Sequence, residues 1–559
     1  DIPLDPAGGQ PFDLSTIPPD LLEGLRVYRG GAPLWLGAGA IGGVLQLLPR
    51  SDPSRAFSLS AGLGSFGQRS LRASAAVIPD RAGPSFWAAA GLRHSDGDFP
   101  YLHDGGTRLD PSDDRERRRQ NAQVDEGYGL ARISIPLGAG RLEALGLGFG
   151  RVGGLLGSPI EEPTRARRRL ARLLGALSYR LAEDALNPDW RLQATLSLAH
   201  ERAGLADLYA EIGRPPRVTD DRSDRLFVRA AGERRLLPWL SLVGIATYSF
   251  DRLDPEDALA LRPPPSSRRH RAALGLETRM RFRFDPMRLV VRASARLELE
   301  RARLAELREE RLGELSESER ALPTFRIGLA FEPASGLALT AGLGTGHRLP
   351  TLLELFGDRA FVLGDTRLRP ERATSVELGA EARLRVGASR IALEVHAFLS
   401  YSDDLVRWVR TAQLRLVPQN IAEARIYGLE LGARWRLGRH LRFVGVLNLL
   451  ESLDIELDRP LPLRPRLTSY LRAELWLGPA SPWIDFEYVA SATLHPAALE
   501  IVPARALLGA GVALELLRDR LRLGLFVRDV FDQRPFDQLG FPLPGRRFGL
   551  ELTLREDSP

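Results

Sequence analysis

The sequence predicts an all-β fold: a transmembrane antiparallel β-barrel of about 22 strands with a partial N-terminal plug domain in the lumen. Three observations predict it. From Phe57 onward, apolar and polar residues alternate with a period of two in run after run. The connections between these runs come in two lengths, and short and long ones take turns. Ahead of the runs stands one glycine-rich knot, Val27 to Gln46, flanked by short apolar stretches and closed by Pro49 and Pro53. Such a knot, feeding a long β-meander, reads as a plug (1–54) inside a barrel (55–559).

The alternation assigns faces. In the run from Arg390 to Tyr401, Ile391, Leu393, Val395, Ala397, Leu399 and Tyr401 fall on one side, and Arg390, Glu394, His396 and Ser400 on the other. The run 376–386 sets Glu377, Glu381, Arg383 and Arg385 against Val376, Leu378 and Leu384. The run 428–437 sets Glu430, Arg434 and Arg436 against Leu429, Leu431 and Trp435. A charged face on strand after strand cannot pack on a second sheet without burying unpaired charge. It can line a watery lumen while the apolar face meets lipid.

The connections order the barrel. Short ones lie at 79–84, 137–141, 236–239, 285–287, 332–336, 386–389, 438–440, 478–481 and 518–520. Long polar ones lie between them, at 95–125, 153–164, 203–221, 253–266, 302–318, 349–372, 402–419, 455–462 and 532–544. Short turns on one side and long loops on the other fit a bacterial outer-membrane barrel. Trp87, Trp190, Trp239 and Trp483 begin strands after short turns, and Trp435 and Trp476 end strands before them. The six predict an aromatic belt at the short-turn rim.

Composition narrows the rest. The 559 residues carry a formal charge of +6, all 77 basic residues are arginine, and there is no cysteine. Disulfides, thiol nucleophiles, zinc–thiolate sites, P-loop lysines and Schiff bases are therefore excluded. No apolar run reaches about 18 residues, so no transmembrane helix is expected. The charge is interspersed with acids, so no nucleic-acid partner is expected.

The knot and the later strands together resemble the TonB-dependent outer-membrane receptors. The resemblance rests on Ile17-Pro18-Pro19-Asp20, Arg29-Gly30, Gly37 and Ala40-Ile41-Gly42-Gly43-Val44, which resemble the last third of that family's plug. Further on, His347-Arg348-Leu349-Pro350 with Leu368-Arg369-Pro370-Glu371 is similar to an outer loop of the family. Asn420, Ala424, Gly428 and Glu430 match a strand motif, and Val530-Phe531-Asp532 with Leu543-Pro544-Gly545-Arg546 match the closing strands. The resemblance implies a monomeric receptor in outer-membrane lipid, importing a scarce, bulky ligand such as a siderophore, cobalamin or other metal chelate. It also implies energy coupling through the TonB complex. The stretch ahead of the barrel is shorter than the family's plug, so the coupling segment is expected upstream of Asp1. The alternatives are that the missing part of the plug is supplied elsewhere, or that the chain is a passive or structural barrel that has lost coupling.

The resemblance further implies that Arg29 latches the plug to lumen acids, for which Glu377, Glu381, Glu394 and Glu430 are candidates. Gly30, Gly37, Gly42 and Gly43 form the plug motif. Other patterns have simpler readings. Gly62–Gly67 and Gly37–Gly42 both fit G-x-G-x-x-G but lack a βαβ context, and the first reads as an outer hairpin turn. Asp96, Asp98, Asp104, Asp110, Asp113 and Asp114 crowd one loop, where carboxylates at this density can collect Ca²⁺, although neighbouring arginines can neutralise them. No other cofactor is expected. No nucleophile elbow or paired-carboxylate signature suggests an enzyme.

Overall fold

A computed structural model describes residues 2–7, 12–30, 33–37, 41–50, 55–77, 83–103, 111–157, 162–181, 189–212, 216–260, 266–305, 315–357, 362–410, 416–421, 423–494, 500–538 and 541–557. The chain forms a closed antiparallel barrel of 22 strands. It opens with Arg55–Gly64 and ends with Arg547–Asp557, and these two strands pair to close the ring, with Leu59 opposite Leu554. Closure removes the sheet edges that lipid could not satisfy.

Register explains the outer surface. Val77, Phe86, Ile133, Ala144, Leu177, Leu196 and Val228 are successive cross-strand partners, so one row of apolar side chains runs around the wall. Phe86, Ile133, Leu177 and Leu196 are all exposed on the outside. On the strand Ser389–Asp403, Leu393 and Val395 are exposed on this same outer surface, as the alternation predicts.

Two expectations need correction. The strands Trp190–Asp207 and Arg217–Leu237 pair down to Asp207 and Arg217, so both ends of the expected loop 203–221 are ladder. Polar residues at and just below its ends satisfy each other across strands: Arg202 pairs with Asp220, and His200 Nδ1 lies 2.7 Å from Asp224. The aromatic belt is only half present. Trp190, Trp239 and Trp435 share the apolar parity, with Trp239 stacked on Phe282 and Trp435 on Phe443. Trp87 is buried in the lumen against Leu21. Trp483 is held between Arg472 and Arg528, 4.2 and 5.1 Å from the ring centre, and Trp476 lies against Arg436. Position along a strand sets a residue's height, but parity sets its side, and a shift of one residue exchanges lipid for lumen.

The outer loops are tied by their own polar groups. Glu211 accepts from the backbone N–H groups of Thr164, Arg165 and Ala166 and from the Thr164 hydroxyl. Burial pushes its carboxyl up, but those hydrogen bonds outweigh it and hold the group down to about 2.

Candidate ligand and latch site in the lumen

The N-terminal segment lies inside the barrel. Its strands Leu22–Arg29 and Gly43–Pro49 form a hairpin in which Arg29 faces Gly43. At two of the motif glycines the positive φ would strain any other residue, and neighbouring atoms crowd the place of a side chain. Gly30 has φ +61°, and a Cβ there would fall 1.5 Å from Glu377 Oε1. Gly43 has φ +136°, and a Cβ would fall 2.6 Å from the Tyr28 carbonyl oxygen. Gly37 also has positive φ, whereas a Cβ on Gly42 would meet nothing within 4 Å.

Arg29 Nε donates to Glu430 Oε2 on the strand Glu423–Leu437. Both side chains are about one-third exposed. Glu377, on the strand Glu371–Val386, stands against Gly30 and 3.5 Å from Arg326. Glu381 lies 3.8 Å from Arg383, and Glu394 lies 3.9 Å from Arg434. Of the four candidate acids, two therefore touch the Arg29-Gly30 corner, and the other two have ion pairs along the wall.

The opposite wall holds the segment by contacts that the sequence reading did not foresee. Leu21 is fully buried among Trp87, Ala89, Leu130, Leu147 and Leu174. The Tyr128 hydroxyl donates to Asp20 (2.8 Å), Arg151 to Asp13 (2.6 Å) and Arg172 to Thr16 (3.0 Å). Arg172 is also paired with Glu201 and stacked over Phe12, 4.6 Å from the ring centre. Arg229 donates to the Trp35 carbonyl oxygen (3.2 Å). The available signal was a set of arginines recurring on lumen-parity positions, but which part of the N-terminal segment meets each one depends on the folded path.

Between this segment and the wall runs a cavity of about 1230 Å³. It reaches from Arg132 and Glu143 toward the short-turn rim up to Leu349, Leu352 and Trp408 at the outer end. Its wall carries Arg225, Asp251, Arg269, Arg271, Arg296 and Glu298. Asp251 accepts from Arg225 (2.6 Å) and Arg271 (3.0 Å), and Arg269 pairs with Glu300 (2.9 Å). At the outer end, Arg348 bridges Glu354 and Glu371. Glu354 is the third residue of a capping box on the short helix Leu352–Phe356, so helix start and ion pair share one carboxylate. These groups can bind and orient a polar solute; they carry no nucleophile–base arrangement.

The acid-rich loop is dispersed. Asp96 lies 3.2 Å from His94, and Asp98 pairs with Arg118 at 2.8 Å. Asp113 closes the 3-10 turn Pro111–Asp113, Asp114 follows it, and Asp104 and Asp110 lie outside the described residues. Among the described residues no group of three or more His, Asp or Glu is placed to hold a metal ion.

Comparison with known proteins places this architecture. Residues 85–530 match the TonB dependent receptor-like beta-barrel family. The vitamin B12 transporter BtuB of Vibrio vulnificus is 28% identical over 116 residues, 21% of this chain and 18% of that protein. The match thus spans under a fifth of that curated relative. Among solved structures, the FrpB iron transporter of Neisseria meningitidis aligns over 96% of this chain and 88% of its own, with TM-score 0.75 and 15% identity. The siderophore receptor PiuA of Acinetobacter baumannii aligns over 96% and 86%, with TM-score 0.76 and 13% identity. With the match running from the third barrel strand almost to the last, the chain belongs to the TonB-dependent receptors of the bacterial outer membrane.

Proposed function

We propose that this protein imports a scarce, bulky ligand by ligand-gated, TonB-energised rearrangement of residues 1–54, which act as part of a plug. The observation that carries the reading is the segment itself. It is threaded inside a closed barrel, fastened to opposite walls, and flanked by a cavity open to loop and helix residues at the outer end. A pore for passive diffusion needs no such internal segment. The roles of these relatives, in vitamin B12, iron and siderophore traffic, support a chelate or corrinoid as cargo. The outer loops and the upper cavity receive the ligand, and force on the segment then breaks the contacts to one wall.

The test is uptake by intact cells expressing the full gene product. Labelled ferric chelates and cobalamin are offered with and without a functional TonB complex. Saturable uptake that disappears without TonB supports import. Uptake that is linear in concentration and indifferent to TonB would establish a passive barrel.

A further inference from the structure

We propose that the short-turn mouth of the barrel docks an acidic, extended segment of a periplasmic protein on a row of four arginines, Arg385, Arg390, Arg436 and Arg442. A coupled receptor and a passive barrel would present the same rim, so the site stands apart from the import reading.

Register puts the four side by side. Arg385 is the cross-strand partner of Arg390, Arg390 of Arg436, and Arg436 of Arg442, on the strands Glu371–Val386, Ser389–Asp403, Glu423–Leu437 and Leu441–Asp454. Their chain neighbours Leu384, Val386, Trp435, Leu437 and Phe443 are exposed on the lipid side. The arginines therefore face the lumen, at its short-turn end. All four are exposed, and none has an acid within ion-pair distance among the described residues. One rung further in, Arg383 and Arg434 have Glu381 and Glu394 at 3.8 and 3.9 Å. Glu474 stands opposite Arg442 in the register and ends the row. The N-terminal segment meets this wall nearer the outer end, where Arg29 reaches Glu430. At the rim itself, a concavity of about 550 Å³ lies between Arg390, Arg436, Arg439 and Trp476.

Like charges directly opposite on neighbouring strands are destabilising. Other walls at this end of the barrel avoid them: Arg279 and Arg281 share Glu233 at 3.1 Å each, and Arg132 has Glu143 at 3.2 Å. Water at the mouth screens the repulsion between the four without removing it. A negatively charged partner removes it. A small anion occupies one or two guanidinium forks. The row crosses three strand spacings, about 14 Å. An extended peptide presents alternate side chains on one face about every 7 Å, so three alternate carboxylates match the row. Lumen parity separates the row from lipid headgroups, and the short-turn side of such a barrel is the periplasmic one. The complement in charge, length and side is an acidic polypeptide arriving from the periplasm.

The experiment measures binding of labelled peptides to the purified, detergent-solubilised chain by fluorescence anisotropy. The probe is a peptide of about twelve residues alternating glutamate and serine, so that its carboxylates share one face when extended. Glutamine–serine and lysine–serine peptides are the controls, and inorganic phosphate and phosphatidylglycerol are the competitors. The glutamate peptide binds best, and its affinity falls as salt rises. Arg390→Gln combined with Arg436→Gln weakens it about fivefold or more. Lysine at both positions keeps most of the affinity, because a point charge suffices for a solvated carboxylate. Arg281→Gln, at the same end on another wall, leaves binding at the wild-type value. Heat-modifiable migration on gels checks that each variant remains a folded barrel. The proposal is overturned if the glutamate peptide binds no better than the glutamine peptide, or if the folded double variant keeps wild-type affinity. It is also overturned if phosphate or phosphatidylglycerol at equal charge displaces the peptide completely, since the site would then take any anion or lipid headgroup. Loss of binding in the full gene product, with binding kept by residues 1–559, would overturn it too: a segment of the same protein would then cover the row.

Discussion

The N-terminal segment is held to opposite walls by different physics. On the wall formed by the strands Ser85–Ser95, Val124–Leu137, Gly140–Gly154 and Arg167–Leu181, the fastening centres on a dry apolar contact: Leu21 is fully buried in a pocket of Trp87, Ala89, Leu130, Leu147 and Leu174, with hydrogen bonds from Tyr128, Arg151 and Arg172 to Asp20, Asp13 and Thr16 around it. On the wall formed by Glu371–Val386 and Glu423–Leu437, it is the ion pair of Arg29 with Glu430, about one-third exposed to the lumen, beside the contact of Glu377 with Gly30. Burial of an apolar side chain is insensitive to salt, and its loss leaves a cavity. A partly exposed ion pair contributes little and is screened. On the import reading proposed above, the difference predicts a hinge and a catch, with the segment pivoting on Leu21 and releasing at Arg29.

The largest expected effect tests the pivot. Leu21→Ala should weaken docking of the segment by about 2–5 kcal/mol, the range for emptying a fully buried leucine site. Hydrogen exchange of the strand Leu22–Arg29 reads the loss, and exchange unchanged from wild type would place the pivot elsewhere. The next effect tests the wall itself, because both fastenings presuppose that alternate residues face the lumen. Leu393→Arg should cost up to about 2–4 kcal/mol if it lies near the bilayer midplane. The same change at lumen-facing His396 should leave barrel assembly intact in refolding into vesicles. Equal damage at both positions would break the assignment of faces.

Much of this was legible in the sequence, and the limit is physical. Alternation such as that of Ile391 to Tyr401 is local, because each residue's side is fixed by its immediate neighbours. Strand count, faces and the short turns therefore followed. Loop lengths were harder: the polar stretch 203–221 looks like loop, yet Arg202 and Asp220 satisfy each other within a ladder. The lumen site was half legible. Arg29 and Glu430 were named through the family resemblance, whereas Leu21 stands in an unremarked Asp-Leu-Leu run and its pocket is assembled from four distant strands. The Arg225–Asp251–Arg271 network likewise draws on three strands and has no spacing that a sequence could show.

The catch should give a smaller effect than the pivot. Arg29→Ala should cost about 0.2–1 kcal/mol of docking, since both partners are partly solvated. Salt separates the two fastenings: raising ionic strength should erase the difference between Arg29→Ala and wild type but leave that between Leu21→Ala and wild type. A double-mutant cycle with Glu430→Gln measures the coupling directly. Zero coupling at low salt would remove the catch.

The smallest effect concerns a third contact, Asp13, which stands beside the pivot. Its carboxylate accepts from Ser15 N (2.9 Å) and Arg151 Nη1 (2.6 Å), and Arg151 is shared with Glu126. Burial pushes the Asp13 carboxyl up, but the bonds from Ser15 and Arg151 and the arginine's charge outweigh it and hold the group below its ordinary value. A depressed carboxylate contributes stability that is fully present above its unfolded pKa, about 4, and is lost as pH falls through the lower folded value. The docking advantage of wild type over Asp13→Asn should therefore stay flat from pH 8 to about 5 and shrink only below about pH 4. Trp87, packed against Leu21, offers the fluorescence readout. An advantage that changes between pH 5 and 8 would mean that some group other than Asp13 governs the contact. The pivot would then be sensitive to charge, and its contrast with the catch would fail.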